Sequence, residues 1–324
     1  MKIFSAVRPT GGIHIGNYLG AINQWISLQE NNDCYFAIAD LHAITTPYDQ
    51  NTLKDKIFEL AVTYLSLGID PQKCAFFIQS KVREHTELAW LIGTIVPVGE
   101  LQRMTQFKDK ATQHKEYVNA GLLNYPILMA ADILLYKSGG VPVGKDQKQH
   151  VEFARNAAEK FNKQFGECFP IPEPLIEEKQ ANIMSLKDPS KKMSKSGDQK
   201  GCINIFEEDD SIRKKIMSAE TDTGSEIKYD LENKKGISNL LSIYSAFSKI
   251  EIPLIEKKYE GKKYAEFKSD LADLLISKLS EFKEKRYSYY KNPDLVYNML
   301  EKGAEKARIE AKKTIEEVKQ KMGL

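Results

Sequence analysis

"CYFAIAD" at residues 34–40 is an almost unbroken apolar run that closes on an acid. A half-exposed strand alternates apolar and polar residues, so a continuous run points to a strand covered on both faces. Working outward, "KIFSAV" (2–7) and "CAFFIQS" (74–80) read as two further strands. Helical periods fill the gaps over residues 17–28 and 53–67, the second closed by Gly68, and helical spacing resumes in "HTELAWLIGTIV" (85–96). This β-α-β-α-β rhythm predicts an α/β protein with a doubly wound, Rossmann-like parallel sheet. Ligands of such sheets bind beyond the strand C-termini, which singles out the turn at 8–16 and the segment 40–42.

Further along, "LLNYPILMAADILLYK" (122–137) reads as an apolar helix, and "VPV" (141–143) as a short strand feeding a helix over 146–165. Beyond Lys200 strong β runs cease, and helical periods take over in "GISNLLSIYSAF" (236–247), "FKSDLADLLISKL" (267–279) and "GAEKARIEAKKTIEEVKQKM" (303–322). In the last of these Ala307, Ala311, Ile315, Val318 and Met322 form one apolar stripe. The expected organisation is a nucleotide-binding domain over 1–188 and a smaller all-helical domain over 189–324, hinged near 186–200. The final helix is free to pack back on the first domain.

With 324 residues the chain has room for two medium domains and a sizeable core. Basic and acidic residues nearly cancel (47 against 45), so bulk charge announces no nucleic-acid partner and leaves only local basic faces. "MKIFSAVRPTGG" carries no long apolar run, and no later stretch has the length of a membrane span, so a cytoplasmic protein without a membrane partner is expected. Cys34, Cys74, Cys168 and Cys202 include no C-x-x-C pair and read as buried or incidental thiols.

"GGVPVGKD" (139–146) has P-loop spacing but ends in Asp146 where a magnesium-binding hydroxyl belongs, and Pro142 with two valines suits a strand. "RPTGGIHIGNYLG" (8–20) is more informative: it leaves a strand and opens a helix, so free N–H groups lie where an anion could bind. His14 and Asn17 offer donors there, and Gly16 permits close approach; the plain alternative is a Gly-rich turn with a satisfied histidine. "SKKMSKSGD" (190–198) by itself could be a solvated loop, a kinase target, a nuclear-import tag or a phosphate clamp. Asp132 stands in an apolar run where an unpaired charge is costly, on one helix face with Tyr125 and Met129 at i, i+4, i+7 spacing. It is either a specificity carboxylate or a buried acid paired to an arginine or a helix cap.

"HIGN" (14–17) resembles the first signature of the class I aminoacyl-tRNA synthetases, and "KMSKS" (192–196) matches their second, in the right order. Asn17 in place of a second histidine is similar to the tyrosyl and tryptophanyl branch. "DLHAIT" (40–45), "GELQRMTQFKDK" (99–110), "YPILMAADILLY" (125–136), "VPVGKDQKQH" (141–150), "IMSLKDPSKKMSKS" (183–196) and "GISNLLSIY" (236–244) resemble bacterial tryptophanyl-tRNA synthetases across nearly the whole chain.

The resemblance implies ATP-driven activation of L-tryptophan and its transfer to tRNA(Trp), with tyrosyl-tRNA synthetase or a non-catalytic tryptophan- or RNA-binding paralogue as alternatives. It implies catalytic roles for His14, Asn17, Lys192 and Lys195. By resemblance the ATP surface takes in Arg8, Pro9, Thr10, Gly16, Asn17, Gly144, Lys145, Asp146, Ile183, Lys192, Met193, Ser194, Lys195 and Ser196. Arg8 stands where many relatives carry glutamine, and Lys145 where some carry an acid. Tryptophan would meet Asp132 through its indole N–H and Met129 through its ring. Tyr125, Gln147 and the nearby His42 would hold its head group, and Phe4, Val141 and Val143 would form apolar walls. Mg2+ arrives with ATP, and no protein-bound metal or organic cofactor is expected. "EKKYEGKKY" (256–264) and "KEKRYSYYK" (283–291) pair basic residues with aromatics that suit RNA, or equally a solvated face over core tyrosines. The resemblance further implies a homodimer, with 85–135 contributing to its interface.

Overall fold

The computed structural model describes all residues except Thr10, His114, 177–182 and 195–198, and the side chain of Lys115. The chain divides into two compact units, the first made of Met1–Gly11, Trp25–Glu177 and Asn292–Leu324, the second of Gly12–Gln24 and Glu178–Lys291.

The first unit is built on five parallel strands: β1 (Lys2–Val7), β2 (Asp33–Ile38), β3 (Cys74–Ile78), β4 (Gly140–Pro142) and β5 (Glu173–Leu175), in the order β3-β2-β1-β4-β5. All five residues of β3 are buried, as are the last five of β2, which is why neither alternates. The order reverses between β1 and β4, and that is where an open α/β sheet presents its ligand crevice. β5, three residues with a central proline, lacks any apolar run and left no signal in the sequence.

Helix Gln50–Leu67 starts on Asp49, whose side chain accepts from the Asn51 N–H, and stops at Gly68 with φ +119°. Helix Pro293–Met322 belongs to this unit. Its stripe of Ala304, Ala307, Ala311, Ile315 and Val318 is buried, and at Gly303 the backbone of β3 comes so close that a Cβ would lie 2.0 Å from the Phe76 carbonyl oxygen. Small residues at helical spacing let this helix lie directly on the sheet.

In the second unit, helices Asp209–Met217, Lys235–Ser248 and Tyr264–Lys291 pack around Tyr244, Tyr259 and Phe267. Tyr18, which follows "HIGN", reaches Phe247 and Phe282 and anchors residues 12–24 in this unit. Among the described residues no helix is long and apolar enough to cross a membrane, and the four cysteines are buried and not joined in disulfides.

Candidate active site

In the first unit the candidates gather where the strands end. Arg8 follows β1, His42 lies in the short helix Asp40–Ala43 after β2, Gln79 follows β3, and residues 143–147 follow β4. Asp132 comes in from helix Ala120–Leu135 and is 1% exposed. Its Oδ2 accepts from His42 Nε2 at 2.8 Å, and its Oδ1 accepts from His85 Nδ1 at 2.6 Å and Gln79 Nε2 at 2.7 Å. Burial pushes the carboxyl pKa up, but the two histidines outweigh it and hold the group well below the usual carboxylate range. Asp132 is therefore a buried anion paired to histidines, not to an arginine or a helix cap. Behind it the Tyr136 hydroxyl lies 2.8 Å from His85 Nε2, and the Tyr136 ring stacks on Tyr35 and Phe4 at 4.4 and 5.5 Å.

Seven residues earlier on the same helix, Tyr125 OH lies 2.9 Å from His150 Nε2, and the Lys110 ammonium sits 4.8 Å above its ring. Burial pushes the Tyr125 phenol up to about 12, while burial and Lys110 push His150 down to about 4. His150 is thus neutral near pH 7, and its buried Nδ1 has no partner among the described residues. Arg8 donates to Thr46 Oγ1 at 2.8 Å and to the Ala43 carbonyl at 3.4 Å. Burial lowers the pKa of both Arg8 and Lys110, and among the described residues neither has a carboxylate within 4 Å. Arg8 thus lies on neutral oxygens and Lys110 on the ring of Tyr125.

The other amino-acid candidates are placed less directly. Phe4 and Val141 are each 2% exposed within the core, with Met129 and Val143 half-buried at its edge. Gln147 donates to Asp146 Oδ2 at 2.7 Å, and a Cβ on Gly144 would lie 2.7 Å from Asp146 Oδ1. Lys145 is exposed and Pro9 is buried. A cleft of about 680 Å³ is lined by Tyr125, Leu41, Trp90 and Leu128; Asp132 and Met129 do not line it.

In the second unit a short ladder holds the "HIGN" turn: Ile15 N–H donates to the Ile203 carbonyl at 3.0 Å and Ile205 N–H to that of Ile13 at 3.1 Å. His14 and Asn17 cap each other. The Asn17 N–H donates to His14 Nδ1 at 3.3 Å, and the His14 N–H donates to Asn17 Oδ1 at 3.2 Å. When the His14 ring is neutral, accepting at Nδ1 places its proton on Nε2. Gly16 brings the turn within 3.6 Å of Ile183, measured from the position of a Cβ.

The second signature hangs from Ile183 by the same means. Met193 N–H donates to the Ile183 carbonyl at 3.0 Å and Ser185 N–H to that of Lys191 at 2.8 Å, while buried Asn239 bonds both backbone groups of Met184 at 2.8 and 2.9 Å. This fixes buried Met193 and leaves the side chains of Lys192 and Ser194 exposed. Thr10, Lys195 and Ser196 lie outside the described residues.

The two basic-aromatic segments differ. Tyr259, buried in the core, is tied to Asp270 at 2.6 Å, and half-buried Tyr264 to Asp222 at 2.9 Å. Tyr287 and Tyr290 are exposed, with Lys291 over the first ring at 4.4 Å and Arg286 over the second at 5.1 Å. Sequence reasoning missed Gln79, His85, Tyr136, Lys110 and His150. Only Gln79 left a trace, as the polar residue ending an apolar strand; the others are brought in by packing.

The sequence pattern of the family "tRNA synthetases class I (W and Y)" matches residues 1–280. The chain is 51% identical over 324 residues to the tryptophan–tRNA ligase of Caldanaerobacter subterraneus, covering 100% of this chain and 98% of that one. It is 50% identical to the tryptophan–tRNA ligase of Oceanobacillus iheyensis, covering 99% and 98%. Among solved structures it is similar to the Campylobacter jejuni tryptophanyl-tRNA synthetase complexed with ADP and tryptophan (TM-score 0.86, 38% identity, 100% of both chains). A buried anion among histidines and the paired signatures thus meet a match over most of the chain, which belongs to the class I tRNA synthetases of the W and Y family.

Proposed function

We propose that this chain is a tryptophan–tRNA ligase, which joins L-tryptophan to ATP as tryptophanyl-adenylate, releases pyrophosphate, and transfers the tryptophanyl group to tRNA(Trp). The observation that carries the amino-acid choice is Asp132, an ionised and buried carboxylate with a lone pair to spare for the indole N–H. Tyr125 and Gln147 are assigned to the ammonium of the substrate, and Arg8 and Lys110 to anionic groups.

In the first step the substrate carboxylate attacks the α-phosphorus in line, and charge builds on the departing pyrophosphate. Lys192 and Lys195 meet that charge, aided by the His14 Nε2–H and the hydroxyls of Ser194 and Ser196. Mg2+ is carried on the phosphates as part of the substrate. ATP-dependent pyrophosphate exchange, run with each of the twenty amino acids, should respond to tryptophan; a response to tyrosine would replace the assignment with the tyrosyl activity.

The partners follow the same reading. Arg286, Tyr287, Tyr290 and Lys291 suit stacking and phosphate contact with tRNA in the cytoplasm. Trp90 (77% exposed) and Ile44 (40% exposed) line the apolar cleft and are assigned to a homodimer interface. Trp90→Glu is expected to convert the dimer to monomer in sedimentation velocity; an unchanged dimer would move the interface elsewhere.

A further inference from the structure

We infer that His85 and Tyr136, neither of which is assigned to contact substrate, are positioning residues that set how tightly Asp132 selects an indole N–H. The inference rests on the proposed contact between that group and Asp132.

The argument is one of donors and acceptors. An ionised carboxylate offers about four acceptor sites. In Asp132 three are taken, two on Oδ1 by His85 and Gln79 and one on Oδ2 by His42. What remains is one site on Oδ2. Its direction depends on the rotation of the carboxylate about its own bond, and the two bonds on Oδ1 fix that rotation.

His85 can hold Oδ1 only as a donor, so Nδ1 must carry a proton. Tyr136 settles the matter from the other side. Its hydroxyl is 2.8 Å from His85 Nε2, and a phenol in this interior stays protonated because burial and the nearby Asp132 push its pKa well above the ordinary value. In the neutral ring the Tyr136 O–H donates to Nε2, which leaves Nδ1 as the donor to Asp132. The relay is rigid at its far end: Tyr136 is closed to solvent, with Phe4 and Tyr35 stacked on its ring and Phe77 edge-on at 6.0 Å. His85 is equally closed to solvent. Gln79 is fully buried as well, and among the described residues its Oε1 has no partner, so it supports Asp132 through Nε2. Such a chain holds the reading carboxylate in one orientation without touching the ligand, as an outer partner does for a metal-bound histidine.

The test compares kcat/KM in pyrophosphate exchange for tryptophan and for β-(benzothiophen-3-yl)alanine, which replaces the indole N–H by sulfur. Tyr136→Phe keeps the ring and removes the hydroxyl; His85→Asn keeps a donor near the place of Nδ1; His85→Ala removes it. Tyr136→Phe should lower the preference for tryptophan about tenfold, through KM for tryptophan with kcat held. His85→Ala should lower it further, on the order of a hundredfold, with His85→Asn recovering part of the loss. A uniform loss on both substrates marks a merely structural role and overturns the inference, as does an unchanged preference in Tyr136→Phe. If His85→Ala fails to fold, the isosteric Tyr136→Phe decides alone. If the unaltered protein fails to prefer tryptophan over the sulfur analogue, the indole contact of Asp132 itself falls, an outcome separate from the others.

Discussion

Asp132→Ala is expected to abolish the preference for tryptophan over the sulfur analogue and to destabilise the first unit by about 3–5 kcal/mol. Both effects follow from the same three donors. His42, His85 and Gln79 would keep their N–H groups, but in a dry interior with nothing to accept them. The destabilisation should be read by chemical denaturation at neutral pH, and the selectivity by pyrophosphate exchange with both amino acids. Asp132→Asn keeps the shape and one acceptor oxygen, so it should cost less stability while losing most of the selectivity.

The pH dependence has a definite sign. Histidines depress the folded-state pKa of Asp132, so its contribution is complete above the unfolded carboxylate value of about 4. It fades as pH falls through the lower folded value. The stability gap between the unaltered protein and Asp132→Ala should therefore shrink steadily below about pH 4. A gap that stays constant to pH 2 would mean that the carboxylate is not held ionised by the fold.

Lys192→Ala should slow adenylate formation by about 10²–10³-fold and leave folding and tryptophan binding almost unchanged. The side chain of Lys192 is exposed, while the backbone of the segment is pinned by Ile183, so removal of the ammonium subtracts charge without loosening the loop. Lys191 is the internal control. Its ammonium is paired to Asp188 at 2.9 Å on an exposed surface, and Lys191→Ala should alter the rate little. Single-turnover measurement of adenylate formation, with tryptophan binding followed by calorimetry, distinguishes the two lysines. Equal effects from both would reduce the role of Lys192 to general surface charge.

Much of this molecule is legible along the chain. The runs over 2–7, 34–40 and 74–80 become β1, β2 and β3 because continuous apolar segments satisfy a sheet covered on both faces. Gly68 ends a helix because it alone accepts φ +119° without strain. The stripe of Ala307, Ala311, Ile315 and Val318 announced a buried face, and the family signatures announced the class of chemistry. Each of these depends on residues within a turn or two of one another, or on a short exact string.

What the stripe faces was not legible. A periodic pattern states that a face is buried and is silent about the partner, so only packing put Gly303 against Phe76 and assigned the last helix to the sheet unit. The same holds for residues 12–24, which leave β1 yet pack with the helical unit through Tyr18. At Asp132 the sequence by itself fixed a charge inside an apolar helix that had to be neutralised. Tertiary structure alone chose the neutralising groups, from positions 42, 79 and 85, with Tyr136 behind them. Hydrogen bonds are directional and act over about 3 Å, so which donors meet a buried acid is decided by how distant elements pack, after local pattern has already set the elements themselves.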